Sequence, residues 1–375
     1  MAPGTINQTS QDTQPVSVTK LGNEVQKTLA DAISTICEID IDTMDSSYAD
    51  RIKGKPCDMT SNQFLMAAML CDEANKEIVD GVIAELGNQG WKVVFCKIAA
   101  LFCKRTLPFI RGRVLVQVSP RGAYDYEDTL SWAKEYAKAF EQVGISKDRY
   151  AIKIPTTGPA MNAAKQLESD GISTLGTALF SVAQAIAAGQ ANCYAISPYY
   201  NEIKAHGDPS LRLNVEDFLT QHPMSNRIAQ IRHVYNLESE QTGKKQPQMK
   251  PASFVVWQEA MACAMLGSEN VTALPPVLDE LTTISSSALQ RDPKSDISKE
   301  VEVLLNNDPL ICSTSFTKAD LPTFKTDYLA NNGAALDTAN EADPITKQRL
   351  FDALELFCSF EDQCKTFIEE KLVAV

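Results

Sequence analysis

Positive charge is the first thing this sequence is short of. Its 35 lysines and arginines face 48 aspartates and glutamates, a net charge of −13 with a pI near 4.8. That balance argues against nucleic acid or an anionic membrane surface as a partner. Long apolar runs are missing too, so no membrane span, signal peptide or transit peptide is read, and a cytoplasmic protein is expected. Histidine is scarce: His206, His222 and His233 are scattered and read as solvent-facing or helix-surface residues. The 10 cysteines form no C-x-x-C pair and no Cys/His cluster with metal spacing, so neither metal nor cofactor is expected. Cys37, Cys57, Cys96, Cys193 and Cys263 lie in apolar segments and read as buried free thiols of a reducing compartment. No internal repeat supports a solenoid.

What is present is a normal globular composition, 44% hydrophobic over 375 residues, enough for one large domain or two ordinary ones. Residues 1–18, rich in Gln, Thr, Ser and Pro, read as a disordered tail. Helices are expected at about 25–34, 63–86, 126–143 (capped by Asp125), 159–166, 181–188, 215–237 and 346–372. A loop is expected near Asp337–Asp343. Short apolar strands fall at 36–42, 57–62, 113–118, 150–157, 174–178, 193–197, 252–256 and 271–274. Eight strands alternating with helices predict a parallel sheet closed into a (β/α)8 TIM barrel over residues 19–281. Residues 282–375 then supply additional C-terminal helices, packed on the barrel or at a dimer interface.

One strand dominates this reading. In Tyr150-Ala-Ile-Lys-Ile-Pro-Thr-Thr157 a lysine, Lys153, stands among residues that belong in a core. Burial disfavours an ammonium ion, leaving free amine near neutral pH, which is what a carbonyl compound needs to form a Schiff base. The alternative is a lysine that snorkels to solvent. Against it stands a pattern: Asp42, Asn62, Gln117, Lys153, Thr177, Ser197 and Ser253 place one polar residue on each of seven successive strands. Such a set, buried without partners, is costly to keep for packing alone.

These residues sit in motifs that resemble the transaldolase family. Ile41-Asp-Thr-Met-Asp45 is similar to the first-strand D-T-x-D. Thr60-Ser-Asn62 is similar to T-T-N, and Ile152-Lys-Ile-Pro155 to the strand that carries a Schiff-base lysine. Thr174-Leu-Gly-Thr-Ala178, Ser197-Pro-Tyr-Tyr-Asn201 and Ala252-Ser-Phe254 resemble the fifth to seventh strand regions. The resemblance covers about 36–276. It implies Lys153 as nucleophile, Asp42 as proton carrier and Thr177 as holder of the catalytic water. It further implies Asn62 bound to a donor hydroxyl, with Ser197 and Ser253 lining the substrate channel. Gln117 and Tyr199 stand where transaldolases have glutamate and phenylalanine; that pairing, with Gly176, resembles the fructose-6-phosphate aldolase branch and implies a water-positioning pair.

Where the family carries cations for the sugar phosphate, this chain has Glu202 and Val255. Each lost charge-assisted bond is worth about 1.5–3 kcal/mol. Lys204 or Arg212 could rebuild an anion site. The expectation is therefore a class I aldolase of specialised metabolism acting on a non-phosphorylated small-molecule carbonyl, as a homodimer. A pentose-phosphate transaldolase and a non-catalytic barrel scaffold are the competing readings.

Overall fold

The computed structural model describes residues 27–52, 54–311 and 315–373, so the tail expected at 1–18 lies outside the described residues. Its eight strands are β1 (Glu38–Ile41), β2 (Met59–Thr60), β3 (Val114–Gln117), β4 (Tyr150–Pro155), β5 (Thr174–Leu179), β6 (Ala195–Pro198), β7 (Gln248–Met249) and β8 (Asn270–Ala273). They run in the order β7-β6-β5-β4-β3-β2-β1-β8, each pair parallel. Every residue of β3, β4, β5, β6 and β8 is buried, as expected where helices cover one side of a sheet and a filled interior the other. The chain is a (β/α)8 TIM barrel with additional C-terminal helices.

One seam lacks a ladder. Between β7 and β8 the Thr272 N–H donates to the Pro251 carbonyl at 2.9 Å. The regular seventh strand lies ahead of the expected 252–256, although Lys250 and Ala252 still donate to the Ile196 and Pro198 carbonyls of β6; Pro251, having no N–H, offers no donor towards β8. Ala252 then makes an isolated bridge to Tyr199, and Ser253 turns into the left-handed region at φ 66.

Several helices also depart from expectation. The helix expected at 63–86 is two, Gln63–Cys71 and Lys76–Leu86, broken where Asp72 turns extended and caps a tight turn through the Ala74 N–H. Trp91–Thr106 is a helix that the sequence reading left unassigned; its buried residues wrap much of its circumference, which blurs the period. The 215–237 helix starts only at Pro223, whose ring suits a first helical position, and continues to Thr242. The loop expected at Asp337–Asp343 is instead the end of the helix Ala330–Ala342. That helix is polar in sequence but docks by close approach of Gly333 to Gly158, where a Cβ on Gly158 would lie 2.4 Å from the Gly333 oxygen. Asp337 accepts from the Gly158 N–H at 2.7 Å across the same contact.

Residue 281 falls within the helix Pro275–Thr283, and the later segments pack back on the barrel. The last helix, Pro344–Val373, crosses the C-terminal face of the strands. Leu350, Ala353 and Phe357 pack on Ala178, Phe180, Tyr199 and Ala252, and the Cys364 thiol reaches the Gln63 carbonyl at 3.8 Å. Among the described residues no helix is long and apolar enough to cross a membrane.

Glu361 anchors this helix at a cost. It is 2% exposed, accepts from Ser119 Oγ at 2.8 Å and lies 3.6 Å from Arg121, while its Oε2 has no protein partner. Burial pushes its carboxyl from 4.5 up to about 7, against the pull of Ser119 and Arg121. The folded chain therefore holds this proton more tightly than the unfolded chain, and the group destabilises the fold progressively as pH rises from 4.5 towards 7. The neutral isostere Glu361→Gln is expected to escape this. In urea unfolding across pH 4–8, its stability relative to the parent should rise by up to about 3 kcal/mol; a flat difference would contradict the account.

Candidate active site

The interior of the barrel is layered, and the layers follow from strand alternation. Leu115, Ala151, Leu175 and Ala195 form a small apolar cluster inside β3 to β6. Two residues further along each strand, on the same face, stand Gln117, Lys153, Thr177 and Ser197. The register sets Gln117 beside Lys153, whereas Lys153 pairs with Leu175 and Thr177 with Pro155, so the polar set steps two residues further along the strand from β4 to β5. A polar layer thus rests directly on an apolar one at the C-terminal ends of the strands, the catalytic end of such barrels.

Above it opens a cavity of about 920 Å³. Its wall includes Asp42, Asn62, Lys153, Tyr199, Ser253 and Val255, so six of the expected positions converge on one space. Gln117, Thr177, Ser197 and Glu202 do not line it. Gln117 and Thr177 lie behind the wall in hydrogen-bonded pairs: Gln117 donates to Gln63 Oε1 at 2.7 Å, and Thr177 Oγ1 is 3.1 Å from the Tyr199 hydroxyl. Ser197 is buried and Glu202 faces the charge of Arg349.

Lys153 is 4% exposed and does not snorkel. Its Nζ donates to Thr60 Oγ1 at 2.6 Å. Burial holds its pKa below 10.5, and the nearby Asp42 opposes that only in part. Burial likewise raises Asp42 above 3.8 against the attraction of Lys153. Both groups are pushed towards their neutral forms, and Asp42 Oδ1 has no protein partner. Tyr199 is held protonated by burial, with its ring edge-on to Phe180 at 5.5 Å. Asn62 caps the helix Gln63–Cys71 by accepting from the Leu65 N–H at 3.0 Å, which leaves its amide donors for the cavity.

Three groups here escaped the sequence reading. Thr60 was visible in Thr60-Ser-Asn62, two residues before Asn62, but not as the partner of the lysine. Gln63 fixes Gln117, and its own Nε2 is tied to the Val118 carbonyl at 2.9 Å. His206 lines the cavity, with Nε2 2.9 Å from Ser253 Oγ and a pKa lowered by burial. The histidines are thus not surface residues as a set. His222 is 2% exposed, stacked on Tyr200 at 3.9 Å and pushed down to about 3 by burial; His206 and His233 are partly open. Cys57 is only half-buried, while Cys37, Cys96, Cys193 and Cys263 are buried free thiols.

The two cations that could rebuild an anion site both stand on the cavity wall. Lys204 is paired with Asp352 at 2.8 Å. Arg212 donates to the Ala205 and His206 carbonyls at 2.9 and 3.1 Å.

A second buried lysine lies nearer the N-terminal ends of the strands. Lys250 Nζ is 3.0 Å from Asp40 and 2.8 Å from Asp58, all three at most 1% exposed. Ligand atoms of Asp40, Cys57 and Asp58 lie within 4.8 Å of one another, but the ammonium occupies the place a metal ion would need. Burial works against this charge, yet the two carboxylates outweigh it and hold Lys250 above 10.5. Asp40, pushed to about 6 by burial, also accepts from Asn270 at 2.7 Å, so the cluster ties β1, β2 and β8 to the end of β7 across the open seam. Lys250→Met strands two carboxylates and is expected to lower stability by about 3–5 kcal/mol in urea unfolding at pH 7. A loss below about 1 kcal/mol would show that the seam does not depend on it.

The chain is similar to known proteins. The family model described as Transaldolase/Fructose-6-phosphate aldolase matches residues 4–333. A transaldolase of Schizosaccharomyces pombe is 28% identical over 328 residues, covering 86% of this chain and 92% of its own length. A transaldolase of Edwardsiella ictaluri is 31% identical over 238 residues, 61% of this chain and 71% of its own. One of Methylococcus capsulatus is 32% identical over 192 residues, 48% and 56% respectively.

Proposed function

The chain belongs to the transaldolase/fructose-6-phosphate aldolase family, and from that premise we propose a class I aldolase that forms a Schiff base between Lys153 and a non-phosphorylated carbonyl compound. The observation that carries this reading is a buried lysine on the wall of a large cavity, its pKa lowered by burial, with Asp42 beside it. In this reading the free amine adds to the carbonyl, and water leaves to give an iminium. The iminium withdraws the electron pair of the adjacent C–C or C–H bond, giving an enamine. In cleavage, Asp42 takes the proton of the departing carbinol; in synthesis it returns one to the new alkoxide. Tyr199, hydrogen-bonded to Thr177, holds the water that adds to and leaves the iminium carbon. Gln117, whose Oε1 has no protein partner, accepts a hydrogen bond from that water. Asn62 donates to a hydroxyl of the donor, and Ser253 shapes the channel, with Ser197 buried behind its wall. We place the reaction in specialised metabolism.

Glu202 and Val255 support the choice of an unphosphorylated substrate, since neither offers a cation. A transaldolase acting on sugar phosphates is the second reading, favoured by the place of Lys204 and Arg212 on the wall. Incubation with dihydroxyacetone and borohydride should add a reduced adduct to Lys153, read by intact mass and peptide mapping, with no adduct on Lys250. Lys153→Met should lose the adduct and all turnover while keeping its far-UV spectrum. Asp42→Asn should still trap the donor yet lose about 10²–10⁴-fold in kcat. A dependence of turnover on a phosphorylated acceptor would favour the second reading, and wild-type protein that never forms an adduct would sink both.

A further inference from the structure

The cavity is larger and more apolar than carbon–carbon chemistry on a small polyol requires. At about 920 Å³ it lies near the top of the roughly 300–1,000 Å³ range that encloses drug-sized ligands. Its polar groups are concentrated among the buried positions, Asp42, Lys153, Tyr199 and Ser253. On the side of Phe64, Val255 and Phe360 its rim is hydrocarbon. Phe64 and Phe360, from two helices, meet edge to face at 5.0 Å on this wall, and Val255 and Leu356 continue it. Phe64 is 45% exposed and Leu211 38%, so large apolar side chains stay open to solvent at this mouth.

The rim is also poor in available positive charge. Among the described residues the cations on the wall besides Lys153 are Lys204 and Arg212. The first is neutralised by Asp352, and the second is turned onto two backbone carbonyls. Asp208, on the same wall, adds a carboxylate.

We propose that the acceptor half of the aldol is an aldehyde with an apolar alkyl or aryl substituent, seated between Phe64, Phe360 and Val255. This rests on the Schiff-base reading of Lys153. The enamine carbon attacks the aldehyde carbon, one C–C bond forms, and the aldehyde oxygen takes a proton from Asp42. The hydrocarbon part stays in contact with the rim throughout, so its burial contributes to binding in both the ground state and the transition state.

The test pairs one donor with a series of acceptors. Dihydroxyacetone is first trapped on Lys153 with borohydride, which examines the Schiff base without any acceptor. The acceptors are then propanal to octanal, phenylacetaldehyde, glyceraldehyde and glyceraldehyde 3-phosphate. KM should fall about three- to fourfold for each methylene that the rim buries, and phenylacetaldehyde should outcompete glyceraldehyde. Phe64→Ala and Phe360→Ala should raise KM for octanal at least tenfold more than KM for propanal. A trapped donor with KM independent of chain length, or with glyceraldehyde 3-phosphate as the preferred acceptor, overturns the inference and leaves the Schiff base standing. Failure to trap the donor overturns the Schiff-base reading itself. The wild-type series decides the matter even if a variant fails to fold.

Discussion

A lysine amine enclosed in a barrel can be tolerated in two ways, and this chain uses both. Lys250 keeps its proton because Asp40 and Asp58 flank it within 3.0 Å, and the three groups together bridge the seam that backbone hydrogen bonds leave thin. Lys153 has a hydroxyl partner, Thr60, and a single carboxyl neighbour that is itself pushed towards its neutral form. Burial is common to both; the number of carboxylates decides the outcome. One lysine becomes a structural cation and the other is released towards the free amine. The polar layer, the cavity above it and the helices that enclose it are arranged around that second amine.

Much of this was legible from the residues. Period-two alternation and buried strands are local signals, so β1, β3, β4, β5, β6 and β8 lie within a few residues of their expected places. The layer of Asp42, Gln117, Lys153 and Thr177 could be read because each side chain breaks an otherwise apolar strand. What stayed hidden depends on partners far away in sequence. Nothing local shows that Gln117 is held by Gln63, that His206 meets Ser253, or that Lys250 lies between two aspartates. The polar helix Ala330–Ala342 owes its place to a contact between two glycines. Trp91–Thr106 was obscured for the opposite reason, being buried around too much of its surface to show a clear stripe.

The cavity joins two requirements that pull apart. Its wall and the layer behind it hold desolvated, partly unpaired polar atoms such as Asp42 Oδ1 and Gln117 Oε1, which lower stability wherever they occur. Its rim leaves hydrocarbon open to solvent. The surrounding packing offsets both: the aromatic run from Trp91 through Trp132, Tyr136 and Phe140 to Tyr150 braces the strand that carries Lys153 from outside the barrel.

The helix Pro344–Val373 closes this space from a distance along the chain: Cys364 meets Gln63 across 301 positions of sequence. The lysine layer can assemble from strands that are near neighbours in order of synthesis, whereas the wall formed by Leu356, Phe357 and Phe360 cannot exist until the last helix has been made and docked. During synthesis the barrel therefore passes through a stage in which the Lys153 amine and an apolar mouth stand uncovered. Chains emerge from the ribosome at about 5–20 residues per second, so that stage lasts seconds.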